Sequence, residues 1–264
     1  VGMNTSRLSS SSSKDLISPE GLRQDGRKYN EIRQLQIQFG NIPDANGSAF
    51  FQLGNTKVVA LVFGPHEPTD RSNQGYINFD LSIASFALPH SKVSRSSSAR
   101  RLITSSGGKR TERKSTEICS FLQNTFNLML HESIDFQGKG TQIDVLIEVL
   151  QSDGSLLSAC LNVTSAALID AGIPMRDFVC SCSIGYSPSS QSLLLVDPNG
   201  EEEGQFRISS LTCALLPRTG EIVSCTLSTG RLPFERMNEA LKLATAGISQ
   251  IHSQIDKILY VRLR

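Results

Sequence analysis

The chain has 264 residues, with 26 Lys and Arg against 25 Asp and Glu and 39% hydrophobic side chains. That length is ample for a self-standing core, and a formal charge of +1 excludes both a charged disordered chain and a surface that attracts polyanions everywhere. Charge-driven binding must therefore be local. No apolar run reaches the roughly 18 residues of a membrane span, and the first fifteen residues lack the apolar core of a signal peptide, so a soluble intracellular chain without membrane contact is predicted.

Residues 1–17 are rich in Ser and lack apolar periodicity, which predicts a disordered tail, and Val1-Gly2 ahead of Met3 reads as an added dipeptide. From Ile32 the pattern turns to period two in 32–39, 48–53, 57–63 and 76–86, separated by turn-forming residues, which predicts an antiparallel meander. Residues 91–110 are mostly Ser, Gly, Arg and Lys and are predicted to form a flexible basic insertion. A long amphipathic helix over 112–133 follows, then a strand over 141–150 with Ile143, Val145, Ile147 and Val149 on one face and Asp144 and Glu148 on the other.

Residues 156–171 are nearly all apolar or small and end at Gly172 and Pro174, as expected of a helix buried on most sides. A hairpin over 178–186 and 192–196, an acidic turn over 197–204, strands over 207–216 and 219–228 and a last helix over 233–258 complete the pattern. Strands followed by a helix, twice over, predict an α+β fold of two related halves in one domain, 18–260, sharing helices between sheets. Cys119, Cys160, Cys180, Cys182, Cys213 and Cys225 sit in apolar periodic segments and are predicted to be reduced core thiols. The four histidines have no ligand spacing, and DPNGEEE lacks the spacing of a calcium loop, so no metal site and no cofactor are predicted.

The segments 18–33, 47–68, 110–118, 143–154 and 161–186 hold the words RxDGR, GNTKV, GPxE and DAGIPM at separations that closely resemble the RNase PH family. Within it they are similar to the ring subunits of the eukaryotic RNA exosome that are orthologous to the catalytic archaeal subunit. The resemblance covers about 18–260 and implies the RNase PH fold and a place in a hexameric ring with other RNase PH-like subunits. It also implies RNA-binding cap subunits and a catalytic exoribonuclease subunit as partners, single-stranded RNA as cargo, and residence in the nucleus, nucleolus and cytoplasm. Active relatives shorten RNA from its 3′ end with inorganic phosphate as the attacking group.

Phosphorolysis needs an anion pocket, cations that clamp the RNA backbone and a carboxylate that moves protons. Gly154 and Ser155 precede a helix whose first amides are free to receive an anion, although an ordinary N-cap at Ser155 gives the same sequence. Active relatives continue this turn with a hydroxyl and a guanidinium that bind phosphate; the matching positions here are Leu156 and Leu157. They also carry two carboxylates six residues apart in the acidic turn and the next strand, which fall here on Glu203 and Ser209. A serine cannot act as a general acid of tuned pKa. The run Glu201, Glu202 and Glu203 otherwise reads as a solvated acidic turn.

Arg113 and Lys114 match an adjacent basic pair that grips RNA phosphates in relatives, and they fall near the start of the predicted helix. Arg71 matches the region lining the RNA entrance. Lys92 to Lys114 adds Arg95, Arg100, Arg101, Lys109 and Arg110 against the single acid Glu112, which attracts a polyanion non-specifically. These residues together imply a non-catalytic ring subunit that scaffolds the complex and guides RNA, with no catalytic residue of its own. The alternatives are an active phosphate-dependent 3′-to-5′ exoribonuclease and a structural subunit without RNA contact.

Overall fold

The computed structural model describes residues 16–67, 76–84, 86–87, 103–130, 141–188, 193–206, 208–228 and 230–262. Two sheets carry the alternating segments. The first contains β1 (Leu35–Phe39), β2 (Gly47–Leu53), β3 (Thr56–His66), β4 (Tyr76–Ile83) and β5 (Gln142–Gln151); the second contains β6 (Cys180–Ser187), β7 (Leu193–Val196), β8 (Ser209–Leu215) and β9 (Ile222–Leu227). The helices are α1 (Ile103–Leu130), α2 (Leu156–Asp170), α3 (Gly200–Gln205) and α4 (Phe234–Arg262).

In the first sheet one face is core. Val58, Ala60 and Val62 of β3, Ile77, Phe79 and Leu81 of β4, and Ile143, Val145, Ile147 and Val149 of β5 are all buried, while Lys57, Asp80 and Glu148 are not. Helix α2 packs on β2 and β3, and α1 packs on β4. The second sheet is covered on both faces, so β6 and β8 are buried throughout. On β6, Ser181 exchanges hydrogen bonds with Asn162 of α2, and the next residue, Cys182, meets Gly247 of α4. The layers thus run sheet, α1 with α2, sheet, α4, and the predicted α+β class holds. Burial of α2 from Ser158 to Leu168 follows from its place between sheets, and Gly47 opens β2 where the chain touches the backbone at the end of α2, leaving no room for a Cβ.

The predicted antiparallel meander holds for β1–β2–β3 and fails at β4. The sheet order is β1-β2-β3-β5-β4: β5 runs antiparallel to β3 and parallel to β4. A parallel neighbour needs a long crossover rather than a tight turn, and α1 lies in that crossover. Helix α1 also begins at Ile103, inside the predicted flexible insertion; the cost of Gly107 and Gly108, about 1 kcal/mol each relative to Ala, does not stop it. The remainder of that insertion, 91–102, lies outside the described residues. The domain also starts earlier than predicted, because Leu16 is buried against Leu195 and Ile208, and Ile17 forms a bridge with Arg23.

Candidate functional site

The acidic run is a capped helix rather than a solvated turn. The Asn199 side chain accepts a hydrogen bond from the Glu202 amide at 2.8 Å, and the Glu202 carboxylate accepts one from the Asn199 amide at 2.9 Å. This reciprocal cap closes α3. Successive helical residues diverge by about 100°, so the three glutamates separate: Glu201 is exposed, Glu202 is fully buried and Glu203 is partly buried.

Glu202 is paired with Arg23, which donates through Nε at 2.9 Å and also through its second guanidinium nitrogen. Arg23 donates further to the carbonyls of Val196 and Asp197. Asp197, in the left-handed region at φ 51°, takes Arg33 on both carboxylate oxygens at 2.7 and 2.8 Å and accepts the Arg33 amide at 3.1 Å. Arg33 also donates to the carbonyls of Asp153 and Gly154. Burial pushes the Asp197 carboxyl up, but the hydrogen bonds and charge of Arg33 outweigh it and hold it below the ordinary value. Two buried arginines thus tie the end of β7, α3 and the turn that starts α2 into one unit.

Beside that unit lies a cavity of about 430 Å³ between α1, the start of α2, α3 and the ends of β8 and β9. Its walls are Lys114, Glu117, Ile118, Phe121 and Asn124 of α1, then Ser155, Leu156, Leu157 and Glu203, then the hydroxyls of Ser183, Ser210, Thr212, Thr226 and Ser228. Glu203 accepts the Ser155 amide at 3.1 Å, so a carboxylate of the chain itself sits at the start of α2. Burial pushes the Glu203 carboxyl above its ordinary value, against the Ser155 amide and the charge of Arg33. Hydroxyls in the wall already have partners: Ser155 donates to the Pro198 carbonyl at 3.1 Å, Ser228 donates to the Ser210 carbonyl at 3.2 Å, and Ser183 pairs with Thr212 at 3.0 Å. Among the described lining residues the cation is Lys114, and none is an arginine.

Of the predicted site residues, Lys114, Ser155, Leu156, Leu157 and Glu203 meet at this cavity. Ser155 is not an ordinary N-cap, because its backbone is left-handed at φ 52° and its side chain makes no cap hydrogen bond. Gly154 lies behind the cavity at φ 79°, packed so closely on Pro198, Asn199 and Gly200 that a Cβ would overlap their backbone. Ser209 does not line the cavity; its hydroxyl is directed to the Arg231 carbonyl, and the neighbouring Ser210 faces the cavity instead. Strand alternation accounts for the difference, since β8 sends adjacent side chains to opposite faces. The basic pair separates as well. Arg113 and Lys114 are exposed in the middle of α1, ten or more residues from its start, and Arg113 shares a groove with Glu112, Thr116, Glu117 and Ser120 on another side of the helix. Arg71 lies outside the described residues.

Sequence reading did not identify Arg23, Arg33 and Asp197 as a unit, nor the hydroxyl wall. The wall had a legible signal, because Ser210-x-Thr212 and Thr226-x-Ser228 repeat polar groups at the strand period in otherwise apolar segments.

A two-sheet α+β body that shares helices between its sheets, with a cavity at a glycine-led helix start beside an acid-bearing turn, defines a protein of the RNase PH class. The model of that family, described as 3′ exoribonuclease family, domain 1, matches residues 31–174, and the chain belongs to it. It is 36% identical over 246 residues to the exosome complex component ski6 of Schizosaccharomyces pombe, covering 92% of each chain. Its fold is similar to that of rice (Oryza sativa) Rrp46, with a TM-score of 0.71 at 22% identity over 90% of this chain and 100% of that one. It is also similar to a chain of the Archaeoglobus fulgidus exosome with RNA bound to the active site, with a TM-score of 0.67 at 24% identity over 89% of this chain and 93% of that one.

Proposed function

We propose that this chain is a ring subunit of an RNA exosome that scaffolds the complex and guides single-stranded RNA to a separate 3′-to-5′ nuclease without cleaving it. The observation that carries the reading is the start of α2, where Leu156 and Leu157 face the cavity and Glu203 takes the Ser155 amide. Inorganic phosphate entering there meets a carboxylate and two aliphatic side chains. Neither leucine side chain donates a hydrogen bond, so hydration lost against them is uncompensated, at a cost to a dianion of several kcal/mol.

The naming of similar chains as exosome components supports the assembly, with other RNase PH-like subunits in a hexameric ring, RNA-binding cap subunits and a catalytic exoribonuclease as partners. Nuclear, nucleolar and cytoplasmic residence belongs to the same reading. Phe86 and Phe234, 73% and 87% exposed, are apolar surface suited to neighbouring subunits. Exposed Lys114 at the cavity rim is the RNA contact closest to the site.

A second reading, an active phosphorolytic exoribonuclease, is favoured by one observation: Glu203 is a partly buried acid whose carboxyl burial holds above its ordinary value, the direction a proton donor needs. Reconstitution with the partner ring subunits tests the assembly. The isolated chain is expected to self-associate, and the partners to convert it to one ring-sized species that crosslinks RNA. A partner-indifferent monomer by sedimentation removes the ring reading.

A further inference from the structure

On the face of the second sheet turned away from the cavity, two thiols meet. Cys213 of β8 and Cys225 of β9 are direct cross-strand partners, with their Sγ atoms 3.2 Å apart. Directly opposed residues of an antiparallel pair have Cα atoms about 4.5 or 5.5 Å apart, and both separations fall inside the roughly 4.4–6.8 Å that a disulfide spans. The strand spacing alone therefore permits the bond. The two sulfurs also differ in access: Cys225 is exposed, whereas Cys213 is buried. The prediction of six core thiols fails at this edge strand, because nothing among the described elements pairs with the far side of β9, and Cys119 of α1 is only partly buried.

The chemistry of the pair is asymmetric in the way an oxidisable dithiol requires. The hydrogen bond shared with Cys213 brings the Cys225 thiol down to about 7, while burial pushes Cys160, Cys180 and Cys182 well up. The thiolate is the nucleophile, so Cys225 is the reactive member. Cys182 lies opposite Cys213 on the other side, and its burial removes it from attack by solvent species.

We propose that Cys213 and Cys225 form an oxidation-sensitive pair that a peroxide converts to an intrachain disulfide stapling the edge strand β9 to β8. The Cys225 thiolate attacks one peroxide oxygen, the O–O bond breaks, hydroxide leaves, and the sulfur becomes a sulfenic acid. The Cys213 sulfur then bonds to the Cys225 sulfur, the S–OH bond breaks, and the departing hydroxyl takes the Cys213 proton as water. Thr212 and Thr226, the next register pair, point to the cavity, so the staple fixes the spacing of its wall from behind.

The test uses the reduced full-length chain, treated with hydrogen peroxide, alkylated and mapped by mass spectrometry without reduction. The expected result is a cross-linked peptide pair joining Cys213 to Cys225, lighter by two hydrogens than the separate peptides, with the other cysteines alkylated. Cys225→Ser abolishes the cross-link, and Cys213→Ser leaves a Cys225 sulfenic acid that dimedone traps. Phenylarsine oxide, which captures closely spaced dithiols, provides a readout on the unmodified chain that needs no variant to fold. It is expected to bind one per chain and to protect both cysteines from alkylation. Both cysteines remaining free after peroxide, a Cys182–Cys213 bond, or a Cys225 bond between two chains would overturn the proposal.

Discussion

Glu202 and Glu203 follow one another on α3, yet the region beneath that helix and the cavity beside it treat a buried carboxylate in opposite ways. Beneath α3, Glu202 and Asp197 each meet a guanidinium in paired geometry, and the remaining donors of Arg23 and Arg33 reach backbone carbonyls. In the cavity, Glu203 has one backbone amide, Lys114 at the rim, and a hydroxyl wall in which Ser183 and Thr212 pair with each other. Beneath α3 the hydrogen bonds and charge of Arg33 hold the Asp197 carboxyl below its ordinary value, whereas in the cavity burial outweighs the few partners of Glu203 and holds its carboxyl above. The contrast separates what holds the turn in place from what the turn presents. A rigid acid-bearing turn persists here whether or not chemistry happens beside it.

The largest way to break this contrast is Asp197→Asn, which leaves Arg33 buried without a counter-charge. A loss of about 3–5 kcal/mol is expected in urea unfolding. The same variant flattens the acid limb of the stability curve. Asp197 is held below its ordinary value, so its contribution is present above pH 3.8 and is lost as pH falls through the folded value. Glu202→Gln removes one charge from a fully buried pair but keeps its shape. About 1.5–3 kcal/mol is expected, the range for hydrogen bonds to charged groups. A change below 0.5 kcal/mol by the same measurement would mean that the pair beneath α3 is not what holds the turn.

Glu203→Gln should act with the opposite sign. The Glu203 carboxyl is raised, so the folded state keeps its proton while the unfolded chain ionises above pH 4.5; stability falls as pH rises from there through the folded value. The amide removes that loss. The variant is therefore expected to match the parent at pH 4 and to exceed it at pH 8 in thermal unfolding, and a variant less stable than the parent at pH 8 would place Glu203 with the paired carboxylates. The smallest effect concerns RNA. Lys114→Glu in the assembled ring should lower the slope of log affinity against log salt by about one unit, read by fluorescence titration.

Much of the fold was legible because strand and helix periods survive in the sequence: β1, β2, β3 and β5 fall where apolar residues alternate, and α2 ends before Gly172 as its stop signals require. Sheet order was not legible, since alternation in β4 says that one face is buried but not which strand lies alongside. The start of α1 was hidden because after Ile103 its first residues are Thr, Ser, Gly and Lys, which carry no apolar stripe. In the site, Leu156, Leu157 and Glu203 were found through the resemblance, and they do line one cavity. The fate of the acidic run was not legible, because the arginines that bury Glu202 and tie down Asp197 lie more than 160 residues away in sequence. Ser209 and Ser210 differ by one strand position, and only the observed register shows which faces the cavity.

The account turns on whether the cavity performs phosphate chemistry, and one measurement addresses that directly: release of nucleoside diphosphates from single-stranded RNA in phosphate buffer by the chain assembled in its ring, with no other nuclease present. The leucine-lined start of α2 and the carboxyl bonded to the Ser155 amide just before it predict no release. Phosphate-dependent release that Glu203→Gln abolishes would contradict the account and make this cavity an active site.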